Sequence, residues 1–571
     1  MSIESIPLQY APGFASPDEP CILYTRFGES PSVLTVTRAE FARLAGRAAG
    51  LLAQHGCSHG TRILHCFGDN DWLDPVFRMG AAILGAIPVA INWQADSLEQ
   101  IVYKFQKPQA SAIVVNETFD PELYEGLRNR LGSAVFVNTR DVLDHTLDLG
   151  LPGTVPVDAD DTRLIVFTSG TTGTPKGVML TWNNYATNAA ALEDMLAITP
   201  RDALDLVVVN PMHHTNSSAI TDWGLRRPLT RIHLFSRYST PWWTALREIS
   251  ARARGRVVAP VVARHFDFLE ELTAGGKLPL AGLAESLSKV DFLIGSAPVG
   301  PTTVERVRRL TGRLPVVRFG STETCLQVLG TPVSLPDKQR LEIFARGWEH
   351  RRNDSPETGY WIGREHPGLT RCRVVESIDR ENPGFMRDCS PGVPGYLITR
   401  GSNLMKGYVN DDEKTQSVFE DGWYLGLEDI CFYLVDPADQ GRDFYWMSRD
   451  SALIIRGGSN YSCEQINAEL GAWTADHYGL GADEFTLASA GIKIGSEHED
   501  ACCITIELVS ERARSMEQEI GQSFISEARE QVSKGARPDR LRFAPVPVNF
   551  KGAILLGELK KAWEHELATR K

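Results

Sequence analysis

The sequence predicts an α/β protein in two parts: a large multilayer N-terminal domain of mostly parallel sheets, residues 1–448, and a smaller α+β C-terminal domain, residues 449–571. Three observations carry this. Helical and strand periodicities alternate from residue 38 to residue 131, the pattern of layered, largely parallel sheets. Further along, short apolar runs each stop where a polar motif begins, as strands of an open α/β sheet stop at a ligand crevice. After Arg449 the texture changes to a strand, a glycine pair and charged helices, and a stretch of roughly 120 residues is enough for a second core.

The elements follow in order. Phe41, Leu44, Ala45, Ala48, Leu51 and Leu52 recur at helical spacing over 38–54, and a strand-like run follows at 63–67. A helix over 73–85, a strand over 88–91, a helix over 98–106, a strand over 112–115 and a helix over 121–131 continue the alternation. Asp96-Ser97-Leu98 superficially matches a carrier-protein phosphopantetheine site, but inside this series it reads as a helix start. Runs at 164–167, 206–209, 257–262, 292–294 and 316–319 are expected as buried strands. The stretch 334–394, rich in Arg, Glu, Pro and Asp, is expected as an irregular excursion around the core. Beyond it come a strand at 452–456, a helix from about 463, a strand at 503–509, a charged helix over 515–533 and a last helix over 556–567.

Composition narrows the function. The 571 residues are 43% hydrophobic and 23% charged, as in soluble globular proteins, with a formal net charge of −13. That charge disfavours nucleic acid or an anionic membrane as main partner, while leaving room for a local basic pocket. Ten cysteines are scattered without a C-x-x-C pair, so neither a zinc site nor a disulfide framework is indicated and a reducing cytoplasm fits. No signal peptide, membrane span or fused carrier domain is expected.

The motif that carries most is Thr168-Ser169-Gly170-Thr171-Thr172-Gly173-Thr174-Pro175-Lys176-Gly177-Val178. Hydroxyls and glycines interleave because a polyphosphate needs many donors, and only small residues let backbone N–H groups close round it. Lys176 adds a point charge. The spacing is not the P-loop form, because proline precedes the lysine and glycine follows it. Two more polar turns follow apolar runs: Gly295-Ser296-Ala297-Pro298 and Phe319-Gly320-Ser321-Thr322-Glu323. An aromatic ring can stack on a base, glycine admits the backbone, threonine offers a donor to phosphate, and glutamate is a hard oxygen ligand for Mg2+.

Together these motifs resemble those of the adenylate-forming superfamily: acyl-CoA synthetases, luciferases and the adenylation domains of peptide synthetases. The resemblance implies that Ser296, Ala297, Pro298 and Phe319 lie against adenine, that residues 168–173, Lys176, Gly320, Ser321 and Thr322 serve the phosphates, and that Glu323 holds Mg2+. It also implies a ribose aspartate in Trp423-Tyr424-Leu425-Gly426-Leu427-Glu428-Asp429-Ile430, where the usual Thr-Gly is lost; Asp429 is favoured over Glu428, with Arg449 as the ribose arginine. His214, in Pro211-Met212-His213-His214-Thr215, resembles the histidine at the acyl pocket; Trp223, Trp242 and Trp243 could line that pocket, but core or surface packing is the favoured reading of each. Ile454-Ile455-Arg456-Gly457-Gly458 resembles the acyl-CoA synthetase junction, implying a mobile small domain, a hinge at Ser451 and a thiol tunnel at Gly458.

One position departs from the pattern. The final loop, Pro547-Val548-Asn549-Phe550-Lys551-Gly552-Ala553-Ile554, has Ala553 where the family carries the lysine that stabilises the adenylation transition state. Three readings stay open: an engineered Lys→Ala replacement that traps a complex, which is favoured, Lys551 as substitute, or a protein that no longer adenylates. The expected function is ATP-dependent activation of a carboxylic acid to acyl-AMP, then acyl transfer to CoA. The alternatives are an amide synthetase or carrier-loading enzyme and, in another class, a non-catalytic nucleotide-binding scaffold.

Overall fold

The computed structural model describes residues 6–27, 32–168, 175–352, 355–356, 358–449, 453–456, 459–481, 483–548 and 554–569. Two large sheets build the N-terminal part. In the first, adjacent strands are Ser32–Thr37, Pro20–Arg26, Thr230–Phe235, Leu204–Val208, Arg256–Val261, Val290–Ile294 and Val316–Phe319, parallel from Pro20–Arg26 onward. The second runs Gly407–Tyr408, Lys176–Thr181, Thr162–Thr168, Ile87–Ala90, Arg62–Cys66, Ala112–Val115 and Val135–Asn138, parallel from Thr162–Thr168 onward.

Local chemistry sets the helices between these strands. Thr37 caps Arg38–Gln54 by accepting the Glu40 N–H at 3.1 Å. Leu73–Leu84 ends at Gly85, whose φ of 67° is left-handed. Ser97 and Gln100 form a capping box for Leu98–Gln106, which makes Asp96-Ser97-Leu98 the helix start that was expected. One continuous core joins the inward faces of both sheets to Arg38–Gln54, Leu73–Leu84, Trp182–Leu196 and Thr215–Arg226. A second core lies on the outer face of the first sheet, under Trp242–Arg252, Arg264–Ala274 and Pro301–Thr311.

One expectation needs correction. The first sheet continues beyond Val316–Phe319 as an antiparallel extension through Leu329–Gly330, Tyr360–Glu365, Arg442–Arg449, Asp429–Val435 and Gly395–Gly401. Much of 334–394 belongs to it and is ordered: helix Asp337–Trp348 buries Ile343 and Phe344 against Trp361, and Thr370–Val375 pairs with Gly395–Gly401. Its charged residues hid short periodic stretches that bury only one stripe. Trp223, Trp242 and Trp243 are core residues: all three are fully buried, and Trp243 donates its indole N–H to the Tyr238 hydroxyl at 2.9 Å.

The C-terminal part has its own core. Phe485–Ile492 and Ala501–Leu508 pair antiparallel, Arg540–Phe543 adds a parallel strand, and Cys463–Tyr478 and Glu517–Gln531 contribute buried side chains to the same cluster. It meets the large part where the Glu497 carboxylate accepts the N–H groups of Thr302 and Thr303 at 3.3 and 3.2 Å, opening helix Pro301–Thr311. Beside it, His498 Nε2 lies 3.0 Å from Asp267 Oδ2. Among the described residues no helix is long and apolar enough to cross a membrane.

Candidate active site

The site sits where parallel strands of the first sheet end. Val261 is the parallel partner of Ile294, and Ile294 of Val317, so the turns that follow these strands share one edge. Gly295–Pro298 leaves strand Val290–Ile294 there; Ser296 is exposed with a φ of 69°, and Pro298 is buried. Next to it Phe319 leads into Gly320, where a Cβ would come within 2.6 Å of the Leu326 carbonyl oxygen, so only glycine fits. The Ser321 N–H donates to Thr324 Oγ1 at 2.8 Å and closes a turn that leaves Ser321, Thr322 and Glu323 partly exposed at the rim.

The second sheet supplies the cation. Thr162–Thr168 and Lys176–Thr181 are antiparallel neighbours with Thr168 opposite Lys176. The intervening Ser169, Gly170, Thr171, Thr172 and Gly173 lie outside the described residues, but both flanking elements are strands, whereas a P-loop is followed by a helix. Lys176–Thr181 pairs in turn with Gly407–Tyr408. Lys176 Nζ lies 5.6 Å from the centre of the Tyr408 ring, and the Tyr408 hydroxyl donates to Glu323 Oε1 at 3.1 Å. The Met405 N–H donates to the Glu323 carbonyl at 2.7 Å. Predicted Lys176 and Glu323 are thus brought to one cluster through a tyrosine.

The electrostatics match an anion site. Burial, then repulsion from Lys414, holds the Lys176 ammonium below its usual range, while Glu323, Glu428 and Asp411 pull the other way. Burial first, then Glu323, pushes the Tyr408 phenol far up, so it stays a donor; Tyr424 is raised by the same two causes. Tyr408 takes one oxygen of Glu323, and no described group takes the other. A single available carboxylate suits Mg2+, which takes one or two protein carboxylates and completes its shell with phosphate and water. Among the described residues no cluster of three or more metal-ligating side chains competes with it.

Asp429 opens strand Asp429–Val435 and stands opposite Arg449 across the sheet, so the two residues that the resemblance assigns to ribose meet in register. Asp429 is fully buried, and its Oδ1 accepts the Trp446 indole N–H at 2.8 Å. Glu428, at a φ of 55°, instead acts electrostatically on Lys176, Tyr408 and Tyr424.

His214 occupies the N-cap position of helix Thr215–Arg226, without a side-chain cap bond, and belongs to a segment held by Asn70 and Arg78. Asn70 Oδ1 accepts the Met212 N–H at 2.8 Å, its Nδ2 donates to the Asn210 and Phe235 carbonyls at 3.1 Å each, and Arg78 Nη2 donates to the Met212 carbonyl at 3.1 Å. Burial, then the Lys104 charge, pushes the His214 imidazole down to about 4, and burial, then His214, holds His213 well below the usual imidazole range. Both stay neutral at neutral pH. Tyr408, Asn70 and Arg78 escaped the sequence reading, and Tyr424 entered it only as part of the ribose segment; Gly407-Tyr408 carried a signal, a glycine beside an aromatic in the reverse order of Phe319-Gly320, and it reads equally as a turn. Ser451, Gly458, Lys551 and Ala553 lie outside the described residues, as does the Arg449 side chain.

Residues 15–409 match the AMP-binding enzyme family. The chain belongs to this family. Among similar proteins is a 2-succinylbenzoate–CoA ligase of Bacillus velezensis, 27% identical over 394 residues, 68% of each chain. Among solved structures, a double mutant of the o-succinylbenzoate CoA synthetase of Bacillus subtilis bound to the product analogue OSB-NCoA aligns with a TM-score of 0.73 at 20% identity, covering 97% of this chain and 98% of that one. The same synthetase in complex with its acyl-adenylate intermediate OSB-AMP aligns at 0.62 and 20% identity, covering 97% of both chains. This AMP-binding enzyme is an acid–thiol ligase: it activates a carboxylic acid with ATP to acyl-AMP, releasing pyrophosphate, and passes the acyl group to CoA.

Proposed function

We propose that the work of this ligase is divided as follows: Lys176, Thr322 and Glu323 handle the polyphosphate and its metal, Phe319 and the Ser296–Ala297–Pro298 turn take adenine, and Asp429 with Arg449 takes the ribose. The observation that supports this best is the Lys176–Tyr408–Glu323 cluster, which draws a cation, a permanent donor and a carboxylate from two sheets to one point. In the first half-reaction a carboxylate oxygen of the acid bonds to the α-phosphorus and the bond to the pyrophosphate oxygen breaks. Charge spreads over the phosphoryl oxygens as this happens, so a preset cation and donors lower the barrier without reorganising. Mg2+ held by Glu323 would supply further neutralisation of the phosphates. In the second half-reaction the CoA sulfur bonds to the acyl carbon and AMP leaves. Gly458 borders the path of that thiol, His214 lines the acyl pocket, and a reducing cytoplasm suits ten buried cysteines that form no disulfide.

The acid is open within this scheme. Several relatives act on 2-succinylbenzoate, and one from Narcissus pseudonarcissus is a 4-coumarate–CoA ligase. A carboxylic-acid panel that includes both, read by pyrophosphate release and by hydroxylamine capture of acyl-AMP, tests the proposal. Acid-dependent pyrophosphate release followed by thioester on adding CoA is expected, with Gly458→Leu blocking only the second step. Good amide formation without any thioester would shift the acceptor to an amine. ATP binding without turnover, even in an Ala553→Lys form, would overturn the enzymatic reading.

A further inference from the structure

Arg318 sits in strand Val316–Phe319, one residue before the aromatic–Gly–x–Thr–Glu turn. Its neighbours show where it points. Val316 packs into the core between the two sheets and Val317 into the core under the outer helices, so strand alternation sends Arg318 back to the inner side, beneath the turns of the site. There its guanidinium lies against Gly295: a Cβ on that glycine would come within 2.9 Å of Nη1 and 3.0 Å of Cζ. The glycine is what leaves the cation room.

The side chain is 6% exposed, yet its Nε and Nη2 find no partner among the described residues. Burial draws its pKa down to about 10, and no carboxylate offsets the effect. Other buried arginines are provided for: Arg38 donates to the carbonyls of Gly13, Arg227 and Thr230, Arg227 pairs with Glu193, and Arg340 reaches Asp337 and the Pro315 carbonyl. A buried charge without a partner is costly, and persists where a ligand completes it. The polyphosphate is served at the rim by Lys176, Thr322 and Glu323, which are partly exposed, whereas Arg318 is on the floor.

We propose that Arg318 is the counter-charge for a second carboxylate on the acid substrate, so that the ligase activates dicarboxylic acids, anchoring one carboxylate beneath Gly295 while the other reacts. This rests on the acid-ligase reading above. The planar guanidinium fork matches a carboxylate with two parallel N–H···O bonds, which fixes the orientation of the acid as well as its charge.

The test combines thermal shift and pyrophosphate release for the full chain and for Arg318→Met and Arg318→Lys, with glutarate, adipate, phthalate and 2-succinylbenzoate set against their monomethyl esters. For the parent chain at least one diacid is expected to raise the Tm, and to exceed its monoester in kcat/KM by roughly 100-fold. Arg318→Met is expected to lose both effects while the KM for ATP changes less than about threefold, and its own Tm without ligand to rise because the uncompensated charge is gone. Arg318→Lys, which keeps the charge but not the fork, is expected to keep part of the preference. Monoesters outperforming every diacid, or an Arg318→Met variant that keeps the preference, would overturn the inference and leave the ligase reading intact. A rise in the KM for ATP with the preference unchanged would move Arg318 to the nucleotide and also overturn it. If no acid is turned over by any variant, the ligase reading fails instead, and the Arg318-dependent thermal shift with diacids still decides the inference.

Discussion

The Tyr408 hydroxyl donates to Glu323 Oε1 across 3.1 Å, and this one bond ties the edge strand of the second sheet to the motif turn that leaves the first. Because burial and the adjacent carboxylate keep the phenol protonated, the bond holds at any working pH and leaves the other Glu323 oxygen oriented.

Tyr408→Phe removes this donor without opening a cavity. Acid-dependent pyrophosphate release is expected to fall about 10-fold, on the order of 1.4 kcal/mol, with a higher Mg2+ requirement. A Mg2+ titration of the initial rate checks it; an unchanged titration would make the hydroxyl purely structural.

Glu323→Gln keeps the shape and removes the charge. The KM for Mg-ATP is expected to rise roughly 10-fold or more, since a charged oxygen ligand is lost. Steady-state kinetics with varied Mg-ATP reads this directly, and unaltered values would take Glu323 out of the site.

Asp429→Asn and Glu428→Gln separate two adjacent acids. Asp429 stands opposite Arg449 in register, so its amide variant is expected to raise the KM for ATP about 10-fold, while Glu428→Gln, which alters the field at Lys176, Tyr408 and Tyr424, changes it less than about threefold. The opposite ranking would give the ribose to Glu428.

Acid should destabilise the protein through its neutral histidines. Burial pushes His265 down to about 4 from 6.5, and His265 Nδ1 accepts the Val262 N–H at 3.1 Å, which needs the unprotonated ring. Above pH 6.5 both folded and unfolded forms are neutral and this contribution is complete. Between 6.5 and about 4 the unfolded chain takes up the proton first, so stability drains away as the pH falls, by roughly 3 kcal/mol for this residue. Thermal unfolding at stepped pH is expected to show a flatter acid limb for His265→Gln.

Ala553→Lys is expected to raise acid-dependent pyrophosphate release at least about 100-fold, equivalent to about 2.7 kcal/mol of transition-state stabilisation, and to change thioester formation from ready-made acyl-AMP far less. Activity that is unmoved by the restored lysine but abolished by Lys551→Ala would make Lys551 the working cation.

The helices and parallel strands were legible because their signals are local. Arg38–Gln54 shows its buried stripe within one window, and Ser97 is a helix start legible from its immediate neighbours. The motif turns were legible because glycines and hydroxyls cluster there for a stated reason. Tyr408, Asn70 and Arg78 were not, since what makes them functional is a partner distant in sequence: Tyr408 meets Glu323, and Asn70 reaches Met212. Arg318 was invisible for the opposite reason. Its distinguishing property is a missing partner, and a sequence does not show burial.

The second sheet is completed late. Lys176–Thr181 receives Gly407–Tyr408 as its outer neighbour only after residues 182–406 have been synthesised, with Leu329–Gly330, Tyr360–Glu365 and Gly395–Gly401 among them. Until then the strand that carries Lys176 is an open edge on a nascent chain, able to pair with whatever strand arrives first. The loop closed by this pairing is long, so its formation is slow on the scale of local contacts. Fragments ending before residue 407 would therefore present for aggregation an edge that the finished chain hides.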